Sequence, residues 1–174
     1  MEEKVILVDE HDHTIGEMEK LKAHQEGVLH RAFSILIFNT KGEILLQKRA
    51  QSKYHSGGLW TNTCCSHPRP GESIIDAANR RLVEEMGIEA DLQFQYKFIY
   101  QVVLENDLIE YEYDHVLTGQ FDGEPQLNPE EAEDWKYIDP EFVENDLTQN
   151  PEDYTFWFKA IVDKGLTPIV PNTL

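Results

Sequence analysis

Apolar and polar residues recur along this chain in two periods, and the periods divide it into elements. Residues 5–8 (VILV) and 29–38 (LHRAFSILIF) are apolar runs rich in β-branched side chains and predict strands, with a third strand over 43–49 after the turn at Lys41-Gly42. Residues 50–71 are dense in Gly and Pro and predict a long loop. Beyond it, Ser73 and Asp76 read as a capping box, Ile75, Ala78, Leu82 and Met86 repeat at helical spacing, and Gly87 stands at the C-terminal cap. These signals predict an amphipathic helix over 73–86 that packs on a sheet, with Arg80, Arg81, Glu84 and Glu85 flanking its apolar stripe. Residues 92–104 and 108–119 predict a strand pair joined at Glu105-Asn106-Asp107, and 135–138 a further short strand. Asp139-Pro140 and Asn150-Pro151 each place a cap before proline and start helices over 140–147 and 151–164.

No repeat, low-complexity run or linker interrupts this order, and 174 residues with 40% hydrophobic content are enough to bury one core, so residues 1–174 read as a single domain. The first twenty residues are punctuated by charge and carry no long apolar run, which predicts no signal peptide, no membrane insertion and a soluble cytoplasmic protein. Cys64 and Cys65 are the only cysteines, and a disulfide between neighbours is strained, so free thiols in a reducing compartment are expected. The formal charge of −18 is unevenly spread: residues 1–90 hold 11 basic and 14 acidic side chains, a net of −3, and residues 91–174 hold 4 and 19, a net of −15. That balance excludes nucleic acid as a partner. It leaves room for a small anion, because Lys20, Lys48, Arg49, Lys53, Arg69, Arg80 and Arg81 all lie in the near-neutral half.

Candidate chemistry gathers in residues 60–87, WTNTCCSHPRPGESIIDAANRRLVEEMG, where a thiol, an imidazole and a charged helix follow one another. A second constellation is IEYEYDH at 109–115: Glu110 and Glu112 are two apart on a strand and share a face, with Ile109, Tyr111 and Tyr113 on the other. Two adjacent carboxylates repel, so such a face either meets solvent or holds a cation. His24, His30 and His67, near the start of the strand at 29–38 and beside Cys65, favour the cation; His11, His13, His55 and His115 have no comparable setting.

Glu72, seven residues, then RRLVEEMGI at 80–88 resembles the Nudix pattern, a Glu, seven residues and R-E-U-x-E-E-x-G-U with U aliphatic. Two positions depart from it: Ser66 stands where the pattern has Gly, and Arg81 where it has Glu. Nudix hydrolases use that Glu and the following pair to hold Mg²⁺ for diphosphate cleavage, so an arginine there turns the box from cutting a diphosphate toward gripping one. With LKAH and LHRAF around His24 and His30, RAQSK at 49–53, WTNTCCSHP at 60–68 and EYE at 110–112, the chain resembles the type 1 isopentenyl diphosphate isomerases over about residues 20–157.

The resemblance implies a Nudix-like α/β/α sandwich with a mixed sheet, and isomerisation of isopentenyl diphosphate to dimethylallyl diphosphate. A proton is added at one carbon and another removed two carbons away, through a tertiary carbocation. It makes Cys65 the catalytic thiol, Glu112 the catalytic carboxylate, and Tyr100 and Trp157 the aromatic residues at the hydrocarbon end. His24, His30, His67, Glu110 and Glu112 become ligands of a mixed N/O site suited to Mn²⁺, Mg²⁺ or Zn²⁺, while Glu85 helps hold a Mg²⁺ carried on the diphosphate. Lys20, Arg49, Lys53 and Arg81 become its diphosphate cations. A Nudix pyrophosphohydrolase and a non-catalytic metal-binding module are the rival functions. Arg81 weighs against the first, and the pairing of Cys65 with Glu112 against the second.

Overall fold

The structure is a computed structural model that describes residues 3–166. In chain order its elements are β1 (Lys4–Val8), β2 (Thr14–Glu19), α1 (Lys20–Glu26), β3 (His30–Phe38), β4 (Ile44–Arg49), β5 (Trp60–Thr61), β6 (Cys64–Ser66), α2 (Ile74–Met86), β7 (Gln93–Val103), β8 (Ile109–Gln120), β9 (Ala132–Ile138), α3 (Pro140–Gln149) and α4 (Phe156–Val162). All the strands belong to one mixed sheet. β3 lies at its centre, antiparallel to β1, β4 and β6 and parallel to β8, whose other edge pairs with β7.

Alternation along β3 builds a core on each face of the sheet. Phe33, Ile35 and Ile37 join Leu45, Leu82, Met86 and Leu117 under α2. Leu36 and Phe38 join Ile44, Leu46, Val143, Trp157 and Phe158 under α3 and α4. The expected α/β/α sandwich follows. No helix of the described residues is long and apolar enough to cross a membrane.

α2 starts where Ser73 Oγ accepts from the Asp76 N–H at 3.1 Å and stops at Gly87, whose φ is 64°. A Cβ there would stand 2.8 Å from Gln126 Cβ, so glycine is required twice over. Its buried residues are Ala77, Ala78, Leu82, Glu85 and Met86, whereas Ile75, expected in the stripe, is 39% exposed. The stripe therefore begins one turn later, on two alanines small enough to bring the helix close to the sheet.

Three further expectations are corrected. The loop at 50–71 contains β5 and β6: Asn62, fully buried, donates from Nδ2 to the carbonyls of Ile35 at 3.2 Å and Cys64 at 2.7 Å, and this non-local tie holds the segment as strand against β3. The helix expected over 151–164 is broken into a 3₁₀ turn at Pro151–Asp153 and α4, because Tyr154 bridges to Trp60 and the Thr155 N–H donates to Trp60 O at 3.0 Å. β2 and α1 were not expected at all. α1 is short, buries only Ala23 and His24, and is started by Glu19, whose carboxylate accepts from the N–H groups of Leu21 and Lys22. The β1–β2 turn is pinned to the sheet by Asp12, at φ 68°. Its carboxylate takes Arg31 Nε at 2.7 Å, Lys97 Nζ at 3.0 Å and His115 Nε2 at 2.8 Å.

Candidate active site

The strand β8 sets the site. Glu110, Glu112 and Asp114 project to the α4 side, while Tyr111 and Tyr113 pack against Ile6, Val8 and Leu29 on the other. Parallel pairing sets His30 of β3 beside Glu112, and antiparallel pairing sets Tyr100 of β7 opposite it. The Tyr100 hydroxyl lies 3.0 Å from Glu110 Oε2 and 2.7 Å from Glu112 Oε2. It has one proton for two carboxylates.

Imidazoles close in on the other oxygen of Glu112. Oε1 is 2.9 Å from His67 Nε2, 3.5 Å from His30 Nε2 and 3.8 Å from His24 Nε2, and the His30 and His67 nitrogens are 3.2 Å apart. His24 Nδ1 and His30 Nδ1 each lie 2.8 Å from a carbonyl, of Lys20 and Val28. A carbonyl only accepts, so both rings carry their proton on Nδ1 and turn a bare Nε2 inward. His24 Nε2 is buried without a hydrogen-bond partner. Donors about 2.1 Å from one ion at right angles stand ~3 Å apart, and these spacings match. Burial pulls His24 below its usual range, and pulls His67 down to about 4 against the attraction of Glu112, so both rings are neutral at pH 7, the form that ligates. For the carboxylates, burial and the neighbouring Glu112 raise Glu110, while His67 and His30 overcome burial and hold Glu112 low. The cluster of His24, His30, His67 and Glu112 is a site that can bind a metal.

A cavity of about 50 Å³ opens over this cluster, lined by Cys65, Glu110, Glu112, Tyr100 and Trp157 at one end and by Lys20, Arg49, Lys53, Arg81 and Glu85 at the other. Cys64 and Cys65 diverge because β6 is a strand: Cys64 points into the α2 core at 0% exposure, and Cys65 into the cavity. Burial raises the Cys65 thiol, with Arg49 opposing and Glu85, Glu110 and Glu112 adding to it, so it holds its proton at neutral pH. Trp157 is both core and wall: it is 2% exposed, and the Arg49 guanidinium lies 5.2 Å from its ring centroid.

The basic end is internally paired. Arg81 reaches Glu85 at 2.6 Å, Glu84 at 2.7 Å and Glu131 at 2.9 Å; Lys53 reaches Glu131 at 2.5 Å, and Lys20 reaches Glu3 at 3.0 Å. Arg49 instead donates to the carbonyls of His55 and Ser56 at 3.1 and 3.2 Å. Glu85 stands apart from the imidazoles, bound by Arg81 and by Gln47 Nε2 at 2.9 Å. Of the expected site residues, all but His24 and His30 line this cavity, and those two lie behind it in contact with Glu112.

Sequence reading missed Gln47, Glu131, Tyr54 and His55. His55 is the largest omission: it is 4% exposed, with Nε2 3.3 Å from Glu110 Oε1. Its signal was the KYHSGG run between Lys53 and β5, in which the Gly57-Gly58 pair lets the loop turn tightly on Gln51 just after His55.

The sequence model of the NUDIX domain matches residues 28–158. Isopentenyl-diphosphate Delta-isomerase 1 of Aromatoleum aromaticum is 56% identical over 164 residues, covering 94% of this chain and 93% of that protein. Isopentenyl-diphosphate Delta-isomerase of Serratia proteamaculans is 54% identical over 162 residues, covering 93% and 90%. Among solved structures, DR0079 from Deinococcus radiodurans superposes with a TM-score of 0.79 over 95% of this chain and 100% of that one at 16% identity, a likeness of fold alone.

Proposed function

The chain belongs to the isopentenyl-diphosphate Delta-isomerases built on the NUDIX domain, and on that premise we propose how its residues divide the work. The enzyme interconverts isopentenyl and dimethylallyl diphosphate. The observation that carries the assignment of roles is that Cys65 and Glu112 line one cavity together with Tyr100 and Trp157. A double-bond shift needs one group to give a proton and another to take one, either side of a flat hydrocarbon. Cys65, a thiol at rest, and Glu112, ionised at rest, are that pair. Tyr100 holds the orientation of Glu112 through its 2.7 Å hydrogen bond. Trp157 offers its π face to the tertiary carbocation, worth about 2 kcal/mol once the bound substrate has displaced water from the pocket.

Lys20, Arg49, Lys53 and Arg81 bind the diphosphate. The present carboxylate partners of Lys20, Lys53 and Arg81 define what the substrate has to displace, and Glu85, freed from Arg81, helps hold the Mg²⁺ that accompanies it. His24, His30, His67, Glu110 and Glu112 hold Mn²⁺, Mg²⁺ or Zn²⁺, a reading supported by the bare, unpartnered His24 Nε2 and the two Nδ1-to-carbonyl bonds. Such an ion supplies positive charge that fixes Glu112 and lowers its basicity. The substrate is a small isoprenoid diphosphate. The acidic surface argues against nucleic acid, and the two free thiols suit the cytoplasm.

The test is to incubate the protein with isopentenyl diphosphate and Mg²⁺ in D₂O and follow products by NMR. Dimethylallyl diphosphate carrying solvent deuterium is expected. Release of phosphate would mean hydrolysis, and untouched substrate would mean a binding module; either refutes the assignment.

A further inference from the structure

We propose that His55 is a further ligand of the metal site, so that one ion is held by four imidazoles and two carboxylates. The inference rests on reading the His/Glu cluster as a metal site. A second group of mutually close donors, His24, His55 and Glu110, has its ligand atoms within 4.8 Å of one another and shares His24 with the first. Tyr100 takes the Oε2 atoms of both glutamates. That leaves Glu112 Oε1 facing His24, His30 and His67, and Glu110 Oε1 facing His55 Nε2 at 3.3 Å. His55 Nδ1 lies 3.2 Å from Ser56 Oγ, which can accept its proton and leave Nε2 bare, as the carbonyls do for His24 and His30.

Two ions are the other way to use these six residues' donors, and two facts weigh against it. His24 Nε2 has a single lone pair and cannot serve both. Two divalent ions against these two buried carboxylates would also leave two uncompensated positive charges, whereas one ion leaves none. Six donors drawn in to one ion would make a complete octahedral set. Four of the six are nitrogen, which favours Mn²⁺, Co²⁺ or Zn²⁺ over Mg²⁺ because imidazole raises affinity along that series and suits Mg²⁺ poorly. His55 therefore selects the resident ion as well as holding it, and its ring, edge-on to Trp157 at 5.9 Å, links the ion to the hydrocarbon wall.

The experiment loads chelator-stripped protein with Co²⁺ and counts the strongly shifted, solvent-exchangeable proton resonances, one for the ring N–H of each ligating imidazole. Four are expected in the unmodified protein and three in both His55→Ala and His55→Gln. Co²⁺ affinity should fall tenfold or more in the variants with Mg²⁺ affinity unchanged. Three resonances in the unmodified protein, or a loss of affinity below twofold, would overturn the role of His55 while leaving the other ligands standing. No shifted resonances at all would overturn the metal site itself. The count in the unmodified protein decides even if the alanine variant fails to fold.

Discussion

Replacing Tyr100 by Phe removes one oxygen and leaves the ring, which packs at 5.9 Å centroid distances from both Phe98 and Phe156. The lost hydroxyl is the shared neighbour of Glu110 Oε2 and Glu112 Oε2, on side chains 4% and 6% exposed, so neither oxygen gains water in exchange. A hydrogen bond to a charged group contributes about 1.5–3 kcal/mol, and at about 1.4 kcal/mol per decade its loss should lower kcat roughly ten- to a hundredfold. The diphosphate cations are untouched, so KM should change less than threefold. Isomerisation followed by NMR across substrate concentrations separates the two constants, and metal content checks that the site remains loaded. A kcat within threefold of the unmodified enzyme, in protein with full metal, would refute the claim that this hydroxyl positions the catalytic carboxylate.

Cys65→Ala should abolish isomerisation, whereas Cys64→Ala should keep most of it and cost about 1–2 kcal/mol of stability as a small core cavity; equal losses of activity would misassign the thiol. Arg81→Glu restores the letter of the Nudix box but sets a carboxylate against Glu84, Glu85 and Glu131. It should raise KM a hundredfold or more, cost about 3–5 kcal/mol by leaving buried Glu85 unpaired, and create no hydrolase; near-normal KM would remove Arg81 from the diphosphate site. Asp12→Asn tests the hairpin clamp: although burial opposes it, Arg31 and Lys97 hold Asp12 below its usual 3.8, so its contribution is full above that pH and lost as pH falls through the lowered value. The variant should be about 2–4 kcal/mol less stable at pH 7, and the gap should close below pH 4 in denaturant titrations; a gap independent of pH would contradict the ion-pair account.

The parts of the site that were legible in the sequence share a cause. Cys65, His67 and Arg81 lie in one short motif, and Glu110 and Glu112 follow from the two-residue period of a strand, so local rules suffice. What was illegible depends on distant partners. Asn62 makes a strand of a Gly-rich loop only because β3 lies beside it, and Tyr154 breaks a helix only because Trp60 offers a bridge. His55 looked idle because its neighbour Glu110 is 55 positions away, and α1 was hidden because a seven-residue helix with two buried residues has almost no apolar period to read. Glu131, which ties Lys53 to Arg81, belongs to a run of surface-like acids whose one inward member no pattern distinguishes.

The parallel pairing of β3 with β8 joins His30 to Glu112 across 82 positions of chain. Closing a segment of that length costs about 4 kcal/mol in chain entropy by the logarithmic rule, before any contact within it is counted. A partly folded chain therefore has no pair of strands on which to seat an ion, and the site is acquired late in folding, after the intervening elements are in place. Register matters as much as contact. Sliding β8 by one residue against β3 would turn Tyr111 and Tyr113 toward the imidazoles and send both glutamates out to the face covered by Ile6 and Val8. An ion held by this group would stabilise only the in-step alignment, so metal uptake would discriminate between correctly and incorrectly threaded copies of the same chain.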